Sequence, residues 1–169
     1  ARQSVTDLRT MLRVLRKYGS DLPPRLLPVG DSDDLTTVVE TASQRLTAHG
    51  MQVATTIDGE VGRLSRSLTG GLGRIIEECT ANMIKYAAPG SRCSIQMEVR
   101  EDEVGLLVVN PVAGRSVTLP DKTFTSTYGL LGIQERVTAL DGQMSVAEAG
   151  SVWMLEVHVP VTWAVPPTP

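Results

Sequence analysis

The chain has 169 residues, 41% hydrophobic and 21% charged, and a net charge of −3, which suits one globular domain, with or without an appendage, and a sizeable core. That mild acidity gives no electrostatic basis for nucleic-acid binding. No apolar run reaches the ~18 residues of a membrane span and no signal peptide opens the sequence, so a soluble, cytoplasmic piece is expected, whether or not its parent is membrane-anchored. Aromatics make up only 4%, so the core must be built from Leu, Val, Ile, Met and Ala. Cys79 and Cys93 lie in no CxxC pair and read as free thiols.

Residues 3–17 carry Val5, Leu8, Leu12 and Leu15 in 3-4-3 spacing, a helical seam, with Arg9, Arg13, Arg16 and Lys17 as a solvated basic face. Pro23, Pro24 and Pro28 make residues 19–30 a linker. Ser32 is positioned to cap a helix over 33–49, with Leu35, Val38, Val39, Ala42 and Leu46 on one face and Gly50 as its stop. His49 then favours the C-terminal end of the helix dipole. A strand over 51–57 and an Asp58-Gly59 turn lead into a long helix over 65–88, weakened by Gly70, Gly71 and Gly73 and ended by Pro89-Gly90.

Two strands follow, 93–100 and 103–110. The second is so continuously apolar that it reads as an interior strand. Residues 111–127 form a long connection, 128–140 a helix, and 143–147 with 152–159 a final hairpin. Trp153 and His158 alternate within that hairpin, one as sheet packing and the other as a surface or half-buried residue. Residues 161–169, with Pro166 and Pro167, read as a frayed, flexible tail in which Trp163 is loosely packed. The sum is an α/β (α+β) two-layer sandwich, a mixed sheet of about five strands with helices on one face, plus the N-terminal helix.

The helix over 65–88 carries the chemistry. At 100° per residue Asn82 lies ~40° from Glu78 and Lys85 ~20° to its other side, so a carboxylate, an amide and an amine share one stripe. Leu72, Ile76, Cys79 and Met83 centre roughly 120° away and form the buried stripe. Carboxylate and amide oxygens are hard ligands that suit Mg²⁺, and an amine beside them suits a phosphate.

Glu78-x-x-x-Asn82-x-x-Lys85-Tyr86-Ala87 resembles the N box of the GHKL ATPases, the superfamily of gyrase, the heat-shock chaperone and sensor histidine kinases. Gly129-Leu130-Leu131-Gly132-Ile133-Gln134-Glu135-Arg136-Val137, continuing Ala139-Leu140-Asp141-Gly142, is similar to the last glycine box and following helix of nitrate/desaturase-sensor type histidine kinases. The resemblance implies a Bergerat fold over 31–160, with residues 1–18 as the remnant of a dimerisation hairpin. It also implies ATP and Mg²⁺ as cofactors: Asn82 as metal ligand, Glu78 as the catalytic carboxylate, Lys85 toward a phosphate and Tyr86 against the sugar or base. The backbone around Gly129, Leu130 and Gly132 would cradle phosphates. Implied partners are the kinase's own dimerisation and phosphoacceptor domain and a response regulator in a two-component system, with a homodimer formed through the parent protein and no nucleic acid or membrane contact.

Two boxes depart from the family pattern. Where Asp-x-Gly-x-Gly is usual, this chain has Asn110-Pro111-Val112-Ala113-Gly114, and Thr127 stands where the last box usually has glycine. Asn110 keeps an amide oxygen for an adenine amino group but loses a charge-assisted bond. His49 and His158 both lack the acidic motif of a phosphoacceptor, so the γ-phosphoryl of ATP would pass to a histidine outside this chain. Two alternatives follow from the same residues: a degenerate GHKL module acting through protein contacts, and an anti-sigma-factor type serine kinase.

Overall fold

The computed structural model describes residues 34–87, 90–111, 130–149 and 152–164. Helix α1 (Leu35–Ala48) is followed by β1 (Gln52–Asp58), a 3-10 turn (Val61–Arg63), and α2 (Arg66–Tyr86). Strands β2 (Arg92–Val99) and β3 (Glu103–Pro111), helix α3 (Leu130–Ala139), and strands β4 (Gln143–Ala149) and β5 (Val152–Pro160) complete the order. The expected helix over 3–17, the linker, residues 112–127 of the expected connection, and residues 128 and 129 of the helix expected after it lie outside the described residues.

The five strands form one mixed sheet in the order β1-β2-β3-β5-β4. Only β1 and β2 run parallel, joined through α2 as a parallel pair requires. β3 pairs antiparallel with both β2 and β5, the interior position its apolar run foretold. Period-two alternation divides the faces. Val104, Leu106 and Val108 of β3 and Leu155, Val157 and Val159 of β5 are buried in one core with Val39 and Leu46 of α1, Leu72, Ile76 and Met83 of α2, and Ile133 and Val137 of α3. Helices therefore cover one face. The other face carries a small cluster of Val109 and Met154, flanked by Leu107, Ala147 and Val152.

Local chemistry sets the helix ends. Ser65 Oγ accepts from Leu68 N–H at 3.2 Å and starts α2. The cap of α1 is Asp34, whose Oδ1 accepts from Thr36 N–H at 3.3 Å, and not Ser32. His49 ends α1 as expected, its Nδ1 2.8 Å from Arg45 O. Gly71 is where α2 meets the end of α3: a Cβ there would lie 2.8 Å from both δ-carbons of Leu140. That close approach explains a residue which propensity alone counts as a weakness.

The start of the segment expected as a frayed tail is fastened. Ser65 N–H donates to Thr162 O at 2.7 Å and Ala164 N–H to Arg63 O at 2.8 Å. Leu64 and Trp163 form a β-bridge, with the Arg63 guanidinium 5.4 Å from the centre of the Trp163 ring. The orphan N–H groups ahead of a helix need partners, and this short extension supplies one. Trp163 is thus a clasp on the entry to α2, and not a loose residue.

Candidate functional site

Topology brings the described candidate residues toward one end of the sheet. β2 starts just after α2 ends, and β3, antiparallel to β2, finishes where β2 begins. β4 starts opposite the end of β5, so α3, which leads into β4, begins at the same end as the last turns of α2. The second half of α2, the end of β3 and the start of α3 thereby share a neighbourhood.

Side-chain contacts make the apposition of α2 and α3 concrete. Glu78 Oε1 accepts from Arg136 Nε at 2.6 Å, an ion pair between the two helices with both groups partly exposed. A Cβ on Gly132 would lie 3.2 Å from Glu78 Oε2, so the glycine leaves space that the carboxylate uses. Asn82 is half-buried one turn further along α2. Lys85 is exposed, its Nζ 5.2 Å from the centre of the Tyr86 ring, a cation–π contact.

Asn110 closes the floor of this end. Only 3% exposed, it accepts a hydrogen bond through Oδ1 from Cys93 Sγ at 3.4 Å, and Cys93 also lies 3.6 Å from Met51 Sδ. Burial pushes the Cys93 thiol up to about 11. Burial, with the Glu78 charge second, pushes Cys79 up to about 12. Both thiols stay protonated at neutral pH, so neither is a nucleophile, and Cys93 stays a donor.

The described residues hold no group of three or more His, Cys, Asp or Glu that could cage a metal. Glu78 and Asn82 offer two hard oxygens one helical turn apart. That pair fits Mg²⁺, which keeps several waters and takes one or two protein ligands beside phosphate oxygens. Of the remaining expected residues, Gly114 and Gly129 lie outside the described residues. Leu130 is only 1% exposed, its side chain part of the core. What it can offer a ligand is its backbone N–H at the start of α3.

No family model and no curated protein matches the chain. Solved structures do. The catalytic domain of histidine kinase ThkA superposes with a TM-score of 0.58 at 12% identity, covering 75% of this chain and 92% of that one. Acinetobacter baumannii histidine kinase AdeS gives 0.58 at 19% identity, covering 92% and 76%. Full-length ShkA in complex with AMPPNP gives 0.61 at 21% identity, covering 99% of this chain and 40% of that one. The fold is that of histidine kinase catalytic domains.

Sequence reasoning gave no role to Arg136, although it stands within the Gln-Glu-Arg-Val segment that carries the resemblance. Its partner lies 58 residues away, a distance that helical spacing cannot bridge. His158 was undervalued. Its Nε2 lies 2.6 Å from Glu156 Oε1 and its Nδ1 2.6 Å from Glu103 Oε1, on the sheet face away from the helices. With both ring nitrogens facing carboxylates, the Glu156 bond first, its pKa rises to about 9, and the same bond lowers that of Glu156.

A cavity of about 820 Å³ lies elsewhere, between the start of α1, the 3-10 turn and the first half of α2, lined by Asp34, Arg66, Arg74 and Glu77 among others. Neither Glu78 nor Asn82 lines it. The chemistry-bearing stripe and this cavity are therefore separate features of α2.

Proposed function

We propose that this chain is the ATP-binding catalytic domain of a sensor histidine kinase of the nitrate/desaturase-sensor type. It would transfer the γ-phosphoryl of ATP to a histidine on a dimerisation segment, for relay to a response regulator. The observation that carries the reading is the meeting of Glu78 with Gly132 and Arg136, which unites the two separately recognised motifs in space.

Within this reading Asn82 would hold Mg²⁺, which when bound neutralises phosphate charge. Phosphoryl transfer asks a protein mainly for alignment and charge stabilisation. Lys85 sits at the exposed rim, where its ammonium can leave the Tyr86 ring for a phosphate. Glu78 Oε2, turned toward Gly132 while Oε1 is held by Arg136, would orient the attacking group. Backbone N–H groups at the start of α3 meet phosphate oxygens with the favourable end of the helix dipole. Asn110 would accept from the base.

The degenerate-module reading also has an observation in its favour: Glu78 and Asn110 both already have partners inside the protein. Calorimetry separates the two. Titration with Mg²⁺ and AMPPNP should give saturable binding that Asn82→Ala removes. No binding at millimolar nucleotide would sink the kinase reading.

A further inference from the structure

The most deeply buried polar groups at this end of the sheet lie on β3 and β5. Asn110 and Trp153 are Cα partners in the antiparallel register, which puts their Cβ atoms ~4.5–5.5 Å apart on one face. That face is the one the helices cover, since Asn110 alternates in step with Val108 and Trp153 with Leu155, both core residues. Trp153 is 4% exposed, and its indole Nε1–H is buried without an acceptor among the described residues. Ser94 Oγ and Gln96 Nε2 are also buried without partners, but they alternate out of step with Cys93 and Ile95 and belong to the opposite face. An indole N–H can only donate, and buried donors are rarely left unpaired in folded proteins. Its residue is the cross-strand neighbour of Asn110, the polar group expected to meet a base.

We propose that Trp153 is a base-recognition residue, its indole N–H donating to the ring-nitrogen acceptor of an aminopurine whose exocyclic amine is taken by Asn110 Oδ1. The proposal rests on the nucleotide-binding reading above. On neighbouring strands, the Asn110 acceptor and the Trp153 donor have the polarity that the exocyclic amine and ring N1 of adenine require. Cys93 fixes the polarity of the acceptor, because a thiol that donates to Oδ1 sets which end of the amide is oxygen. The oxygen keeps a second lone pair for the base. Hypoxanthine reverses both polarities, offering an oxygen and a ring N–H, so the pair would reject it. The indole thus supplies a direct contact where Asn110, in place of the family's aspartate, lacks a charge.

Calorimetry of the wild type and Trp153→Phe with Mg²⁺–ADP and Mg²⁺–IDP tests this. Phenylalanine keeps most of the ring and removes the N–H. The wild type should prefer ADP, and the variant should bind ADP about five- to tenfold more weakly while losing a similar factor of preference over IDP. The nucleotide-free variant should melt no lower than expected for the lost ring volume, since no satisfied hydrogen bond is removed. In the wild type, the Trp153 indole ¹⁵N–¹H resonance, distinguished from Trp163 by Trp163→Phe, should move downfield on adding ADP. Equal ADP affinity in the two proteins, or an indole resonance that ADP leaves unmoved, overturns the assignment of Trp153 alone. If the wild type binds neither nucleotide, the kinase reading falls and this inference with it. Should Trp153→Phe fail to fold, the wild-type resonance decides.

Discussion

Asn82 and Met83 are adjacent on α2, yet they should fail in opposite ways. Met83 is fully buried against the sheet, so Met83→Ala removes side-chain volume from a packed core and should cost about 2–5 kcal/mol. For a chain of this size each kcal/mol corresponds to ~2–4 °C, so the melting temperature should fall by roughly 4–20 °C. Asn82 is half-buried and outside the core cluster. Asn82→Ala exchanges a poor helix former for the best one, a gain of about 0.5 kcal/mol that offsets lost contacts, so stability should stay within about 1 kcal/mol of wild type. Urea titrations followed by circular dichroism give the stabilities, and calorimetry at low temperature gives nucleotide affinity. Met83→Ala should be weakened but binding, Asn82→Ala folded but non-binding. If Asn82→Ala unfolds, or Met83→Ala is neutral, the assignment of the two stripes on α2 is wrong.

Other consequences are equally direct. Because the folded pKa of His158 is raised from 6.5 to about 9, its stabilising contribution is complete below pH 6.5 and is lost as pH rises through 9. The urea midpoint of wild type relative to His158→Gln should therefore narrow between pH 6.5 and 9.5; a constant difference contradicts the paired imidazolium. Gly132→Val should weaken nucleotide binding more than Gly132→Ala, since even a Cβ would lie 3.2 Å from Glu78 Oε2. Equal affinities in calorimetry would show that the carboxylate does not need that space. Cys79 and Cys93, both buried with raised pKa values, should resist iodoacetamide at pH 8 until urea unfolds the domain, as mass spectrometry can read; rapid labelling of the folded protein contradicts their burial.

What the sequence disclosed follows from the range of its signals. The buried stripe of α2 and the alternation of β3 are periodicities within one element, and the structure repeats them closely. Glu78, Asn82 and Lys85 fall outside the buried stripe for the same reason, half-buried or exposed. Contacts between elements were not. Nothing local joins Glu78 to Arg136, gives Gly71 its packing against Leu140, or shows that Trp163 clasps Leu64. The cap of α1 was misplaced because Asp31, Ser32, Asp33 and Asp34 are all capable residue types, and only the observed bond of Asp34 to Thr36 N–H identifies the cap. His158 read as an ordinary alternating residue because its two carboxylate partners are defined by the pairing of β3 with β5. Trp153 fitted its strand, and the unpaired state of its N–H is a property of the folded environment alone.

In the proposed function, nucleotide binds where α2, the end of β3 and the start of α3 meet. Backbone amide chemical-shift mapping of the ¹⁵N-labelled protein with Mg²⁺ and AMPPNP tests it most directly. Binding at that junction should give shifts that saturate together and concentrate at residues 78–87, at 110, and at 130–136. Shifts concentrated instead around Arg66, Gly70 and Arg74, in the cavity beside α1, would contradict it, as would a spectrum that nucleotide leaves unchanged.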